Sequence, residues 1–384
     1  MTKSGAYYEG IRKLESFDSA AGIDLEILSK LRFGVSECQN GGIFIFGVGK
    51  LGQKIYRFFS KHNIPVVGFV DNNSKFQGQK QNGIEVFSPA ILKRDSIVYI
   101  ASETFMNSIQ KQLNDAGMEF VISHFQGSIL FKSYPDFPAD IFYRGMTEDL
   151  FSSREKYLEV FSLLNDDSSR DVFDKLVLYR LTGDIAHINA IASTSNPEYF
   201  DATVLTLGSF EVFFDCGAFD GDSAWNFITS TQGKFKSIHL FEPDKVLLGM
   251  AHKKLESFKN VHYNELGIFD RTATLHFDNT GGLDGSINDA GAVEIKTVSI
   301  DEYQTADIPT YLKFDIEGVE IEALNGARNV IAKHTPKLAI ASYHYPRHLW
   351  QIPMLVFDIS RKYSVHLRHY SNCIFGSTYY FLPR

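Results

Sequence analysis

Apolar and polar positions along the chain follow two alternating patterns. The first is a short, nearly unbroken apolar run: GGIFIF (41–46), PVVGFVD (65–71) and SIVYIAS (96–102), then EVFFDCG (211–217), SIHLFEPD (237–244), TYLKFDIEG (310–318) and KLAIASYHYP (337–346). Runs of this length, bounded by glycine, proline or charge, predict strands covered on both faces. The second pattern spaces apolar residues three and four apart, as in QKIYRFFSKHN (53–63) and GVEIEALNGARNVI (318–331), and predicts helices. Strand followed by helix, repeated, predicts an α/β protein with parallel sheets.

Three parts follow from this pattern. Residues 1–125 hold a helical lead-in, with Leu25, Leu28 and Leu31 on one face, and then a small Rossmann-like α/β domain. Residues 126–205 change character and predict a helical connector; within it, Ser168 is the expected N-cap and Gly183 the expected C-cap of one helix. Residues 206–384 alternate strand and helix again. NVHYNELGIF (260–269) supplies a third strand, with hairpin-like TATLHFDN (272–279) after it. SVHLRHY (364–370) and TYYFLP (378–383) are too close for a helix between them, so a terminal antiparallel hairpin completes a seven-stranded sheet.

Composition narrows the class. With 44% hydrophobic and 22% charged residues, the 384-residue chain can bury a sizeable core. No apolar run reaches the roughly 18–20 residues of a membrane span, and MTKSGAYYEGIRKLESFD (1–18) has no apolar signal-peptide centre. Net charge is −8 with no basic tract, which argues against nonspecific nucleic-acid binding. Cys38, Cys216 and Cys373 are far apart and odd in number, so the expectation is a reducing cytoplasm and no disulfide framework.

Two glycine-bearing turns carry candidate chemistry. In GVGKLG, Gly47, Gly49 and Gly52 fit G-x-G-x-x-G between a strand and a helix, with Asp71 at the end of the next strand. This turn can bind a dinucleotide, or it can serve helix–strand packing alone. In FFDCGAFDGDS (213–223) the turn is acidic: Asp215, Asp220 and Asp222 accompany Gly217, Ala218, Phe219, Gly221 and Ser223. A pyrophosphate facing three carboxylates would be repelled, and the turn itself holds no Lys or Arg. The acids favour a cationic, phosphate-free ligand. S-adenosylmethionine fits, and Glu242, ending the next strand in FEPD, can accept its ribose hydroxyls. The competing reading is that the acids cap the following helix.

Several segments together resemble the FkbM-type family of S-adenosylmethionine-dependent methyltransferases. They are EVFFDCGAFDGDS, FEPD, SIDEY (299–303), LKFDIEGVEIEALNGA (312–327) and YHYPRHLWQIP (343–353). The resemblance implies a class I methyltransferase fold for 206–384 and usually O-methylation. Asn264, Glu265 and Leu266 would then lie beside the adenine. Asp315 and His344 end the fourth and fifth strands, so His344 is the expected general base, with Asp315 orienting it or holding the cofactor, and Glu317 beside them. Asp315, Glu317 and His344 are also types that suit a divalent ion, but no ligand spacing assigns a metal site. Ser286 can line an acceptor pocket, Asp301 is structural or functional, and His366 and Arg368 share one strand face.

The first domain resembles small Rossmann-like domains of sugar-modifying enzymes, on GVGKLGQKIY, VVGFVDNN and NGIEVFSP (82–89). That likeness implies a carbohydrate or nucleotide-linked acceptor, with Gly47, Gly49, Gly52 and Asp71 as nucleotide contacts. A homo-oligomer is possible in such chains. The alternatives are a non-catalytic nucleotide-sugar-binding protein and an NAD-dependent oxidoreductase working from the first domain.

Overall fold

The computed structural model describes residues 8–29, 31, 34–140, 142–193, 196–277 and 293–384. The chain divides into two compact units. The first comprises Met1–Arg154, Asp174–Ala190 and Asn372–Ile374; the second comprises Glu155–Phe173, Ile191–Ser371 and Phe375–Arg384. The stretch 126–205 is helical over much of its length and is shared between them. Among the described residues no helix is long and apolar enough to cross a membrane.

In the first unit, β1 (Ile43–Phe46), β2 (Val66–Val70), β3 (Lys80–Gln81), β4 (Ile84–Phe87), β5 (Ile97–Ile100) and β6 (Phe120–Ile122) form one sheet in the order β3-β4-β2-β1-β5-β6. Every pairing is parallel except β3 with β4. The unbroken IFIF of β1 reflects two covered faces. Ile43 and Ile45 join one apolar cluster, and Phe44 and Phe46 join the other. The helix Lys50–Lys61 turns Gly52, Ile55, Phe58 and Phe59 inward. A Cβ at Gly52 would run into the carbonyl oxygen of Gly47, so this glycine is needed where helix and turn meet. Gly49, by contrast, faces open space. Asp71 accepts from the Val48 and Asn73 amides at 3.1 and 2.8 Å, which ties the ends of β1 and β2 together.

The second unit contains β7 (Val212–Cys216), β8 (Ser237–Phe241), β9 (Val261–Asn264), β10 (Gly267–Ile268), β11 (Ala273–Phe277), β12 (Val293–Val298), β13 (Tyr311–Phe314), β14 (Lys337–Ala341), β15 (Tyr363–His369) and β16 (Ser377–Pro383). Seven of them form a sheet in the order β15-β16-β14-β13-β7-β8-β9, with β16 alone antiparallel to its neighbours. The expected seven-stranded Rossmann-like architecture is present. The hairpin-like segment instead belongs to a separate sheet, β10-β12-β11. After β9 the chain returns to place β13 on the other side of β7. This switch point opens a crevice at the carboxyl ends of β7, β8 and β13. Beneath it, Phe213 stacks on Phe227 and Tyr311 at centroid distances of 4.5 and 5.1 Å.

Two local expectations are corrected. Ser168 lies inside the helix Asp167–Thr182, and Asp166 is the cap, accepting from the Ser169 amide at 2.6 Å. A carboxylate two positions earlier reaches the unpaired amides better than Ser168. Gly183 ends that helix as expected, at φ +66°. In the lead-in, the helix Ala20–Leu28 buries Ile23 and Ile27, while Leu25 is 71% exposed. The β-branched residues, offset by two positions, won the buried face.

The first unit holds an acid with a measurable consequence. Glu103 follows β5, is partly buried with its Oε1 shielded from solvent, and accepts from the Tyr143 hydroxyl at 2.8 Å. Burial pushes its carboxyl up to about 8 from an ordinary 4.5, with the nearby Asp140 charge adding to the rise. The folded chain therefore keeps a proton that the unfolded chain releases, and stability is lost as pH rises from about 4.5 towards 8. Glu103→Gln removes that loss. Thermal scans should show the variant gaining on the wild type at pH 8 relative to pH 5.

Candidate functional site

The acidic turn leaves β7 under tight steric control. The Gly217 and Ala218 amides both donate to the Phe241 carbonyl, at 3.0 and 3.1 Å, which folds the turn over β8. Gly217 sits at φ +85°, and a Cβ there would strike the Asp315 carbonyl oxygen. Gly221, at φ +84°, lies where a Cβ would come within 2.9 Å of the Ala251 side chain. Both glycines thus permit chain-to-chain approach as well as the turn itself.

The three acids of the turn have three different fates. Asp215 is wholly enclosed. Its carboxylate meets the Lys313 ammonium at 2.9 Å and the Ser223 hydroxyl at 2.5 Å. Lys313 comes from β13, directly opposite Asp215 in the sheet register, and also donates to the Gly217 carbonyl at 2.7 Å. Burial would lower the Lys313 ammonium, but the Asp215 and Asp315 charges outweigh it and hold it protonated. Asp215, expected to touch the cofactor, instead lies behind the wall with both oxygens engaged. Asp220 turns away to Lys254, at 2.8 Å. Only Asp222 faces the crevice, at the first turn of the helix Asp222–Ser230. The helix-capping reading is only partly met: the N-cap is Gly221, and the Asp222 side chain accepts from the Ser223 amide at 2.6 Å.

The crevice is a cavity of about 540 Å³. Gly217, Phe219, Asp222 and Ser223 line one side, with Glu242 at the end of β8. The Glu242 carboxylate accepts from the Phe219 and Asp244 amides at 3.0 and 2.9 Å, so each oxygen is fixed in place and keeps a lone pair. The turn after β9 contributes differently from expectation. Asn264 is drawn into hydrogen bonds with the Leu240 carbonyl (2.9 Å) and the Tyr303 hydroxyl (3.1 Å). Gly267, Ile268 and Phe269 form the wall, not Asn264, Glu265 and Leu266. The opposite side is built by Asp315, Ile316 and Glu317 together with Glu198 and Tyr199. Sequence reasoning missed Glu198, Tyr199, Asn226 and Lys313. The first three lie in no recognisable motif, and Lys313 reads as a stray polar residue in an apolar strand. That anomaly was the available signal, because a buried lysine needs a carboxylate partner.

Beside the cavity, His344 follows β14 and sits among carboxylates. Its Nδ1 is 2.9 Å from Glu320, and its Nε2 is 3.6 Å from Asp315 and 3.7 Å from Glu317. Glu320 is fully buried and also accepts from the Ile316 amide at 3.0 Å. Burial alone would lower the His344 imidazole, but Glu320, Asp315 and Glu317 raise it to about 9. At neutral pH His344 therefore carries a proton and is not poised as a base. Asp315 accepts from the Tyr343 hydroxyl at 3.0 Å. The remaining sequence candidates have structural partners. Asp301 caps the helix Arg328–His334 through the Asn329 and Val330 amides, both at 2.9 Å. His366 and Arg368 both bind Asp166, at 2.6 and 3.1 Å. Ser286 lies outside the described residues.

An open crevice at the switch point of a seven-stranded sheet, rimmed by acids, is the binding architecture of a doubly wound α/β domain. Residues 215–362 match the family described as Methyltransferase FkbM domain, and residues 39–120 match C2185-like, N-terminal. Residues 215–362 of this chain thus resemble an FkbM methyltransferase domain. No curated protein matches the chain. Among solved structures, the FkbM methyltransferase from Methylobacillus flagellatus KT shares its fold, with a TM-score of 0.75 and 20% identity over 97% of this chain and 99% of that one. Looser similarities include human N-acetylserotonin methyltransferase solved with SAM (TM-score 0.29, 11% identity, 69% of this chain and 73% of that one). Another is an rRNA methylase from Streptococcus thermophilus (TM-score 0.31, 15% identity, 46% of this chain and 89% of that one).

The buried pair behind the turn gives a stability test. Lys313→Met leaves Asp215 charged and enclosed without its partner, and should cost about 3–5 kcal/mol. Adding Asp215→Asn removes the orphaned charge and should recover part of that loss. Urea unfolding of the wild type and both variants measures the difference.

Proposed function

We propose that the cavity binds S-adenosylmethionine and that the domain methylates a hydroxyl of a carbohydrate-like acceptor. The carrying observation is charge. Among the described lining residues, Glu198, Asp222, Glu242, Asp315 and Glu317 face one cation, Lys313, whose ammonium is already taken by Asp215 and Gly217. Such a rim suits a ligand with an ammonium and a sulfonium and repels a pyrophosphate. When bound, S-adenosylmethionine supplies an electrophilic methyl group on its sulfonium. Glu242 accepts the ribose hydroxyls, Leu247, Ile268 and Phe269 give apolar walls for the base, and Asp222 and Asp315 offer acceptors to the ammonium. The size of the cavity is within the usual range for such ligands.

The acceptor proton is assigned to Glu198. Burial, aided by the Asp315 charge, raises its carboxyl to about 7, which matches the demands of a base at neutral pH better than a protonated His344. Asp315 keeps its expected orienting role, steadied by Tyr343, while the protonated His344 gives up the base role expected of it. The carbohydrate reading is supported by the likeness of the first unit to domains of sugar-modifying enzymes. In that reading, Gly47, Gly49, Gly52 and Asp71 border a nucleotide-linked acceptor.

Calorimetric titration with S-adenosylmethionine, S-adenosylhomocysteine, NAD and UDP-sugars tests the reading. Both adenosyl ligands should bind and NAD should not. Glu242→Ala should weaken them at least about tenfold through lost charge-assisted hydrogen bonds, while Asp220→Ala, which faces Lys254, should not. Binding of NAD without either adenosyl ligand would overturn the assignment. With labelled S-adenosylmethionine and a panel of glycans and nucleotide-sugars, transfer should rise through pH about 7 as Glu198 ionises. Glu198→Gln should reduce it about 10²–10⁴-fold.

A further inference from the structure

Tyr199 lines the cavity yet is only 6% exposed. Its hydroxyl is buried and closes no hydrogen bond with any described residue. A buried hydroxyl left unpaired costs stability, so each one in a fold calls for an explanation. Asp315, Glu198 and the Tyr343 hydroxyl lie near enough to act on it electrostatically, but not in bonding geometry. Glu198 and Asp315 line the same cavity, so the hydroxyl stands on its cavity side, next to the carboxylate assigned to the acceptor proton.

The ring is restrained from several sides. The Tyr311 hydroxyl, from β13, donates to the Tyr199 carbonyl. The Lys313 ammonium, already bonded to Asp215 and Gly217, lies 5.1 Å from the centre of the Tyr199 ring. The backbone is held at φ +68°, which a bulky residue adopts only where its surroundings impose it. Tyr199 is thus built into the network that fixes the acidic turn, while its hydroxyl stays uncommitted. Glu198, one residue earlier, is held by the Thr378 hydroxyl at 2.8 Å. Burial, with the Asp315 and Glu198 charges, raises the Tyr199 phenol well above its ordinary value, so it keeps its proton at neutral pH and acts as a donor.

We infer that the Tyr199 hydroxyl donates a hydrogen bond to the acceptor oxygen, and that this contact selects an alcohol over an amine as the group to be methylated. The inference rests on the methyltransferase reading of the cavity. An alcohol oxygen carries one proton and two lone pairs. The proton meets Glu198, one lone pair accepts from Tyr199, and the other is left to attack. A neutral amine has a single lone pair, which methyl transfer itself uses, and an ammonium has none. Either would leave the Tyr199 hydroxyl unpaired in a buried place, which is the basis of strong discrimination. In the transfer, the acceptor O–H bond breaks and its proton passes to the Glu198 carboxylate. The oxygen forms the new O–CH₃ bond as the methyl–sulfonium bond breaks, and the sulfur leaves as a neutral thioether. Tyr199 keeps its own proton and orients the oxygen.

The test compares the full-length chain with Tyr199→Phe, which removes only the hydroxyl. Crystals of the wild type with S-adenosylhomocysteine and glycerol, a neutral polyol, should place a glycerol oxygen within about 3 Å of both the Tyr199 hydroxyl and the Glu198 carboxylate. Tyr199→Phe should lose it. No oxygen at that place, glycerol bound equally in the variant, or a Tyr199 hydroxyl closed onto Asp315 or Tyr343 overturns the inference. Thermal scans separate a ligand-facing hydroxyl from a structural one. Tyr199→Phe should melt no lower than the wild type, whereas Tyr343→Phe, which breaks a 3.0 Å bond to Asp315, should melt lower. A drop in Tyr199→Phe counts against the inference.

With labelled S-adenosylmethionine, glycans and amino sugars should receive methyl on oxygen. Tyr199→Phe should lower that transfer at least about tenfold, without changing the affinity for S-adenosylhomocysteine. Methylation on nitrogen, or transfer unchanged in the variant, overturns the inference; if no sugar is turned over, the glycerol complex decides. Calorimetry keeps the two readings apart. Failure of S-adenosylhomocysteine to bind the wild type would sink the cofactor reading, while glycerol held by Tyr199 in cofactor-free crystals would still stand.

Discussion

The ion pair between Asp215 and Lys313 is the contact on which the second unit's architecture turns. It joins the two central strands, β7 and β13, at the point where the order of the sheet reverses. A pair with side-chain exposures of 0% and 3% is costly unless every remaining donor and acceptor is met. Here Ser223 takes the second Asp215 oxygen, and the Gly217 carbonyl takes another Lys313 proton. The pair thereby fixes the start of the turn, the end of β13 and the first turn of the following helix in one network. A hydrophobic pair in the same place would hold the strands together without orienting the turn.

The rest of the cavity is arranged outward from that network. Glu242 is pinned by the Phe219 amide of the turn it faces and by the Asp244 amide of its own loop, so the far wall depends in part on the turn's conformation. Asp315 directly follows the strand that supplies Lys313, and its carbonyl packs where Gly217 has no side chain. The cavity's rim at Asp315 and its wall at Gly217 are therefore two ends of one strand crossing, and a shift in either moves the other. The His344 cluster extends the same rim to β14, with Glu320 as its buried anchor.

Much of this was legible in the sequence. The buried strands, the glycine turns, the order of the second unit's elements and the FkbM resemblance all come from local patterns. Glu242 was legible because a strand-end acid beside an acidic turn has few other uses. His344, Asp315 and Glu317 were found as neighbours because strands four and five are adjacent in such sheets. Glu198 and Tyr199 were not legible. They belong to an irregular segment with no periodicity, and only long-range packing brings them to the cavity.

The sequence alone determined which segments become strands and helices, since burial on two faces or one writes a period into the chain. It also determined where φ must be positive, at Gly217 and Gly221. Tertiary structure decided what each charged side chain does. Asp215, Asp220 and Asp222 stand within eight residues and look alike in the sequence. One meets a lysine from a neighbouring strand, one a lysine from a neighbouring helix, and one the cavity. Carboxylate function depends on partners and burial, and both are set by residues far away in the chain.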